Sequence, residues 1–196
     1  MPDPLLDRHQ LHIKPLSDRK DKVYIKRDHV PADTPLQQPF SEAGKEIIAE
    51  VTDRLKKARE AGKSRMIAFG AHAIKNGLAP VFIKLIEDGW ITHLATNGAG
   101  IIHDWEFAFQ GHSSEDVRAN VTKGEFGTWH ETGFYLNLSI AVGAWHGMGY
   151  GESVGAFVEQ EGLEIPSQEQ LVNEITTLAA SRSEERRVGK ECATGC

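Results

Sequence analysis

The chain has 196 residues and sets 22 lysines and arginines against 28 aspartates and glutamates, a formal net charge of −6. Mixed signs leave no basic footprint for nucleic acid or an anionic membrane surface, and no apolar run approaches the roughly 20 residues that a bilayer span needs. The opening MPDPLLDRHQ carries acids and prolines where a signal peptide needs an apolar stretch, and both cysteines, Cys192 and Cys196, sit at the extreme end, so a cytoplasmic protein is expected whose body has no thiol for a disulfide, a structural zinc or a nucleophile.

Residues 1–39 are dotted with Pro2, Pro4, Pro15, Pro31, Pro35 and Pro39 and read as an extended N-terminal arm, with a short edge strand at 22–25. From Ser41, a candidate cap, Ile47, Ile48, Val51, Leu55 and Ala58 recur at helical spacing until Gly62, which suits a left-handed end residue. The short apolar run 66–69, stopped by Gly70, reads as a buried strand. After the loop GAHAIKNG, Pro80 stands in a first helical turn, Val81, Phe82, Leu85 and Ile86 share a face, and Gly89 ends the helix. Residues 90–95 form a second strand that turns through Thr96 to Gly100 into a helix over 101–109. Strand, helix, strand, helix predicts an α/β fold, a Rossmann-like parallel sheet flanked by helices over residues 40–180.

Further on, Ser113 or Ser114 is placed to cap a helix carrying Glu115 and Asp116 in its first turn. Residues 131–144 are apolar on several sides, as a buried helix would be, and 147–151 read as a glycine-rich loop. Ser167 and Gln170 have the spacing of a capping box, opening a helix with Leu171, Ile175 and Leu178 on one face. From Ser181 the periodicity stops. The run SEERRVGKEC there resembles a recurrent vector- or assembly-derived end sequence, so 181–196 are expected to be a non-native or disordered tail and the chain to be the N-terminal part of a longer, truncated protein.

The chemistry concentrates in ATNGAGIIHD, residues 95–104, at the carboxyl end of the second strand. Glycines there let backbone N–H groups approach a phosphate at a helix N-terminus, although Gly98-x-Gly100 lacks the third glycine of the dinucleotide fingerprint and also suits a plain tight turn. The turn Gly70 to Gly77 takes the equivalent position on the first strand. His103 and Asp104, next to the glycine turn, are the candidates for general base or cofactor contact. His130-Glu131 opens a zinc-protease motif whose second histidine is replaced by Phe134, and a metal site from His103, Asp104, His112 and His130 is the weaker alternative, so no metal is expected. Gly151-Glu152-Ser153-Val154-Gly155 matches a nucleophile elbow in letters but lacks the preceding hydrophobic strand. The dispersed tryptophans, Trp90, Trp105, Trp129 and Trp145, suit packing better than base stacking.

GAHAIKNGL (70–78), ATNGAGIIHD (95–104) and KGEFG (123–127) resemble deoxyhypusine synthase and its bacterial relatives. The resemblance implies a Rossmann-like sheet and NAD as cofactor. It assigns Gly70, Ala71, His72, Ala73, Ile74 and Lys75 to the turn that wraps the cofactor phosphates, and Thr96, Asn97, Gly98, Ala99 and Gly100 to the second cofactor turn. Where that family has an acidic pair for cofactor and polyamine, this chain has Ile102 and His103, with an acid at Asp104. The family's imine-forming lysine belongs to a C-terminal portion that this chain does not contain. The expectation is an NAD-binding enzyme fragment whose parent oxidises a small amine and transfers an aminoalkyl group, working as a homo-oligomer without nucleic acid or membrane partners. The alternatives are a non-catalytic nucleotide-binding or regulatory module, or a serine or metal-dependent hydrolase.

Overall fold

The computed structural model describes residues 7–35 and 38–193, with side chains described as far as Ala180. Pro2, Pro4 and Cys196 lie outside the described residues. Contacts divide the chain into two compact units, Met1–Asn137 and Leu138–Cys196, a division that falls inside the stretch expected as one domain.

The first unit is mixed α/β. Its elements in order are β1 (Asp21–Tyr24), α1 (Ile25–Asp28), α2 (Glu42–Glu60), β2 (Met66–Ala68), α3 (Ala71–Lys75), α4 (Ala79–Glu87), β3 (His93–Ala95), α5 (Gly98–Gln110), β4 (His112–Glu115) and α6 (Val117–Lys123). The β2 and β3 strands pair in parallel, Met66 opposite His93 and Ala68 opposite Ala95, which is the βαβ unit that the strand and helix periodicities predict. Among the described residues this parallel sheet has two strands. The other sheet pairs β1 with β4 in antiparallel fashion, so the multi-stranded Rossmann-like sheet is not what surrounds the turns.

Local signals account for most helix ends. Ser41 Oγ accepts the Gly44 N–H at 3.2 Å at the head of α2, Pro80 sits in the first turn of α4, and Gly111, at φ 75°, closes α5. The cap of α6 is a correction. Ser113 and Ser114 belong to β4, and Asp116 is the residue whose side chain takes the Ala119 N–H, because Ser113 is drawn inward onto Glu106 and Ser114 turns through φ 72°. The β3 strand is shorter than expected because Thr92 Oγ1 caps the Arg65 N–H and the Arg65 guanidinium bonds the carbonyls of Gly89 and Trp90, holding the approach to the strand out of the ladder.

Residues 7–35 are not a free arm. Leu16 is among the most buried side chains, its N–H donating to the Glu131 carboxylate, and Lys14 bridges Thr128 and His130 through backbone hydrogen bonds. Gly77 shows how closely this segment packs. At φ +84°, its Cα faces the Asp28 and His29 backbone so tightly that any Cβ would collide with it.

The helix α7 (His130–Trp145) runs from the first unit into the second, which also holds α8 (Tyr150–Glu159) and α9 (Gln168–Ala193). Within that unit α7 and α8 meet where Gly143 leaves room for Ser153, and the capping box forms as read, Ser167 Oγ accepting the Gln170 N–H and Gln170 Oε1 the Ser167 N–H. The backbone of α9 stays helical through Ala193, so no element boundary falls at Ser181, where a non-native or disordered tail was expected. The loop read at 147–151 is shorter than expected, since α8 starts at Tyr150.

Candidate functional site

The two glycine-bearing turns stand side by side at the carboxyl ends of β2 and β3. The Phe69 N–H donates to the Ala95 carbonyl, and from there Gly70 leads into α3 while Asn97 caps α5, its Oδ1 accepting the Gly100 N–H at 3.0 Å. A Cβ at Gly70 would come no closer than 3.8 Å to its neighbour, Asn97 Nδ2. Gly70, His72, Asn97 and Ala99 are exposed, so this rim is open to an approaching molecule. Gly98 and Ala99 head a helix of 13 residues, where backbone N–H groups lack intrahelical partners.

The glycines divide by task. Gly100 is buried, and a Cβ there would run into Thr96 Oγ1, so its missing side chain serves the turn itself. Gly77, as described above, makes room for residues 28 and 29. Of these three glycines only Gly70 keeps open space in front of it.

Below the rim the candidate residues separate to opposite sides of α5. Ile74, Thr96, Gly100 and Asp104 line an apolar pocket of about 260 Å³ with Phe69, Phe82, Ile83 and Leu94. Lys75, Ala99 and His103 line a polar pocket of about 250 Å³ together with Phe126 and Gly127 of the KGEFG segment, Arg19, Glu106, Glu115 and Trp129. His103 and Asp104 therefore do not work as a pair. Successive helical residues point about 100° apart, which sends the two side chains into different pockets.

A buried network backs the polar pocket. Arg19 meets Glu106 in two parallel hydrogen bonds of 2.7 Å, and its Nε lies 2.7 Å from Asp21 Oδ1 as an ion pair without hydrogen-bond alignment. Burial works against the Arg19 charge, but Glu106 and Asp21 outweigh it and hold the guanidinium above its ordinary value. Glu106 also accepts the hydroxyls of Ser113 and Thr132, and Ser113 Oγ lies 2.7 Å from His103 Nδ1. Glu115 accepts from Asn120 Nδ2, the Gly127 N–H and Trp129 Nε1.

Burial lowers the His103 pKa, as do Lys75 and Arg19, while Glu106 and Asp21 pull the other way. Burial raises that of Asp104, opposed by nearby His29, and the open side of Asp104 to water limits the effect.

Arg19, Asp21, Glu106 and Thr132 escaped the sequence reading, which took Ser113 for a helix cap and Glu115 for a first-turn acid where the structure has the strand β4. Glu106 carried a signal, a carboxylate between Trp105 and Phe107 in a helix that buries both, whereas nothing local marks Arg19.

Other readings lose their geometry. His112 Nδ1 bonds Asp21 Oδ2 at 2.7 Å, His130 stacks on Phe134, and Glu131 holds the Leu16 amide. Ser153 is fully buried inside α8, donating to the Gly149 carbonyl at 2.7 Å, which is not the exposed strand-to-helix turn of a hydrolase nucleophile. No protein-family model, curated protein or solved structure matches the chain.

Proposed function

We propose that the chain is the nucleotide-binding part of an NAD-dependent enzyme similar to deoxyhypusine synthase, the parent enzyme oxidising a small amine and transferring an aminoalkyl group. The supporting observation is the pair of open turns, Gly70 beside Asn97, at the carboxyl ends of two parallel strands, where α/β proteins bind nucleotides. The residues fit such a group. The amides of Gly98 and Ala99 would hold the pyrophosphate with the favourable end of the α5 dipole, and the apolar pocket beside Phe69 and Phe82 offers a slot for a flat ring. NAD would supply the hydride acceptor. Assembly into a homo-oligomer belongs to the same reading, and the exposed Ile47, Ile48 and Val51 of α2 give it an apolar face to bury.

NAD titration of the purified chain tests the reading. Gly70→Val suits the fold, because φ is −97° and the added Cβ has only ordinary contacts, so its effect reports on the ligand. Weakening of at least tenfold, about 1.4 kcal/mol, is expected, with Gly98→Val behaving likewise. Unchanged affinity in folded variants, or no NAD binding at all, would count against it. Amine-dependent NADH formation then separates an enzyme from a binding module.

A further inference from the structure

At the end of the β2–β3 pair opposite the glycine-bearing turns lies another polar cavity, of about 370 Å³, lined by Arg59, Lys63, Ser64, Arg65, Thr92 and His93. Three of these side chains are cations and none is an acid, in a chain whose formal net charge is −6. Elsewhere on the two helices that end here, Lys45, Arg54, Lys57 and Lys84 each face a carboxylate. Arg59, Lys63 and Arg65 have no such partner among the described residues.

Local structure accounts for one of the three charges. The Arg65 guanidinium donates to the carbonyls of Ala58, Lys63, Gly89 and Trp90, where the negative ends of the α2 and α4 dipoles lie. Four of its five N–H donors are thereby used, and one on Nη2 is left. Arg59 is different. Its guanidinium lies over the Trp90 ring, 4.5 Å from the centroid, and none of its five donors has a hydrogen-bond partner among the described residues. Stacking fixes the planar fork without using it.

Distances bring the cations together. Arg65 Nη2 is 3.2 Å from the Gly89 carbonyl oxygen, and Arg59 Nη2 is 3.8 Å from the place a Gly89 Cβ would take, so both guanidiniums meet at this one residue. Gly62, at φ 62°, reverses the chain, and the Lys63 N–H reaches back to the Ala58 carbonyl at 2.8 Å, which sets Lys63 next to the last turn of α2 that carries Arg59.

We propose that this cavity binds a small phosphate monoester, its phosphate accepting from the Arg59 fork and the Lys63 ammonium, with the Ser64 hydroxyl and the spare Arg65 N–H as further donors. A phosphate dianion answers two free cations, whereas a carboxylate would leave one unmet. A single cavity in an acidic chain lacks the basic stripe that a nucleic-acid backbone needs, and about 370 Å³ suits a small molecule.

Nitrogen-edited NMR of the arginine side chains tests the site, Arg59 being assigned by its loss in Arg59→Gln. Methyl phosphate, titrated against chloride at constant ionic strength, should shift the Arg59 and Arg65 Nε–H signals with millimolar affinity, and acetate should bind more weakly. Followed at Arg65, Arg59→Gln and Lys63→Gln should each weaken methyl phosphate about tenfold, and Arg59→Lys, which keeps the charge without the fork, should fall between Arg59→Gln and the unaltered chain. No shift with methyl phosphate, unchanged affinity in Arg59→Gln, or shifts confined to the Gly98 and Ala99 amides would overturn the site. Acetate binding as tightly as methyl phosphate would overturn the ligand class. NAD takes no part in these titrations, so either proposal can fail while the other stands.

Discussion

The two sides of α5 differ in what holds them. On one side Ile74, Phe82 and Ile101 surround a single carboxylate, Asp104, at an apolar wall, while on the other a buried arginine, two buried acids and two hydroxyls form a closed network behind His103. Chain neighbours part company across this helix: Ile74 goes to one side and Lys75 to the other, Asp104 to one and His103 to the other. The His-Asp dipeptide on this helix thus faces two separate surroundings, and the hydrogen-bond partner of His103 comes from another element, β4.

The largest effect should come from the polar side. Glu106→Ala removes one of the two carboxylates that Arg19 meets, leaving Asp21, and also unpairs the Ser113 and Thr132 hydroxyls, and should cost about 3–5 kcal/mol by denaturant unfolding. A small effect from Glu106→Ala would show that water reaches the pair. On the apolar side Ile74→Ala should cost about 2–4 kcal/mol by leaving a void, while Lys75→Ala, one residue on, should stay within about 0.5 kcal/mol. Similar losses at both positions would erase the distinction between the pockets.

The pH dependence should sharpen it with opposite signs. Burial holds His103 below its ordinary value near 6.5, so the unfolded chain takes up a proton that the native one refuses, and stability falls as pH drops below that value; His103→Gln should remove this contribution. Burial raises Asp104, so the native chain keeps that proton longer, and the Asp104 contribution weakens as pH climbs above the ordinary carboxylate value of 3.8. Asp104→Asn should therefore be the more stable protein at neutral pH and lose its advantage on acidification, with a smaller amplitude because Asp104 faces water. Thermal unfolding across the pH range checks both signs.

What could be read from the sequence was what nearby residues determine. Ser41, Pro80 and the Ser167–Gln170 box act within a few positions, and the two short strands are bounded by glycine or polar residues close at hand. The adjacency of the two turns followed from the same local pattern. The roles of Arg19, Asp21 and Ser113 could not be read in this way, because each is set by a partner far along the chain, and the prolines of residues 7–35 suggest an arm precisely where long-range pairing with β4 and Glu106 builds a core. Serine at 113 carries the letters of a helix cap, and only the carboxylate beneath it reveals a strand residue.

The Arg19–Glu106 pair spans 87 residues, which gives it a meaning for synthesis as well as for stability. At roughly 5–20 residues per second, Arg19 is made on the order of ten seconds before the carboxylate that will bury it. Over that interval the guanidinium keeps its water and β1 has no strand to pair with, while β2, α3 and α4 are already complete. The nascent chain can seat Asp28 and His29 against Gly77 before α5 emerges, but the Arg19–Glu106 closure waits for that helix, and a chaperone acting on this protein would find Arg19 open until then.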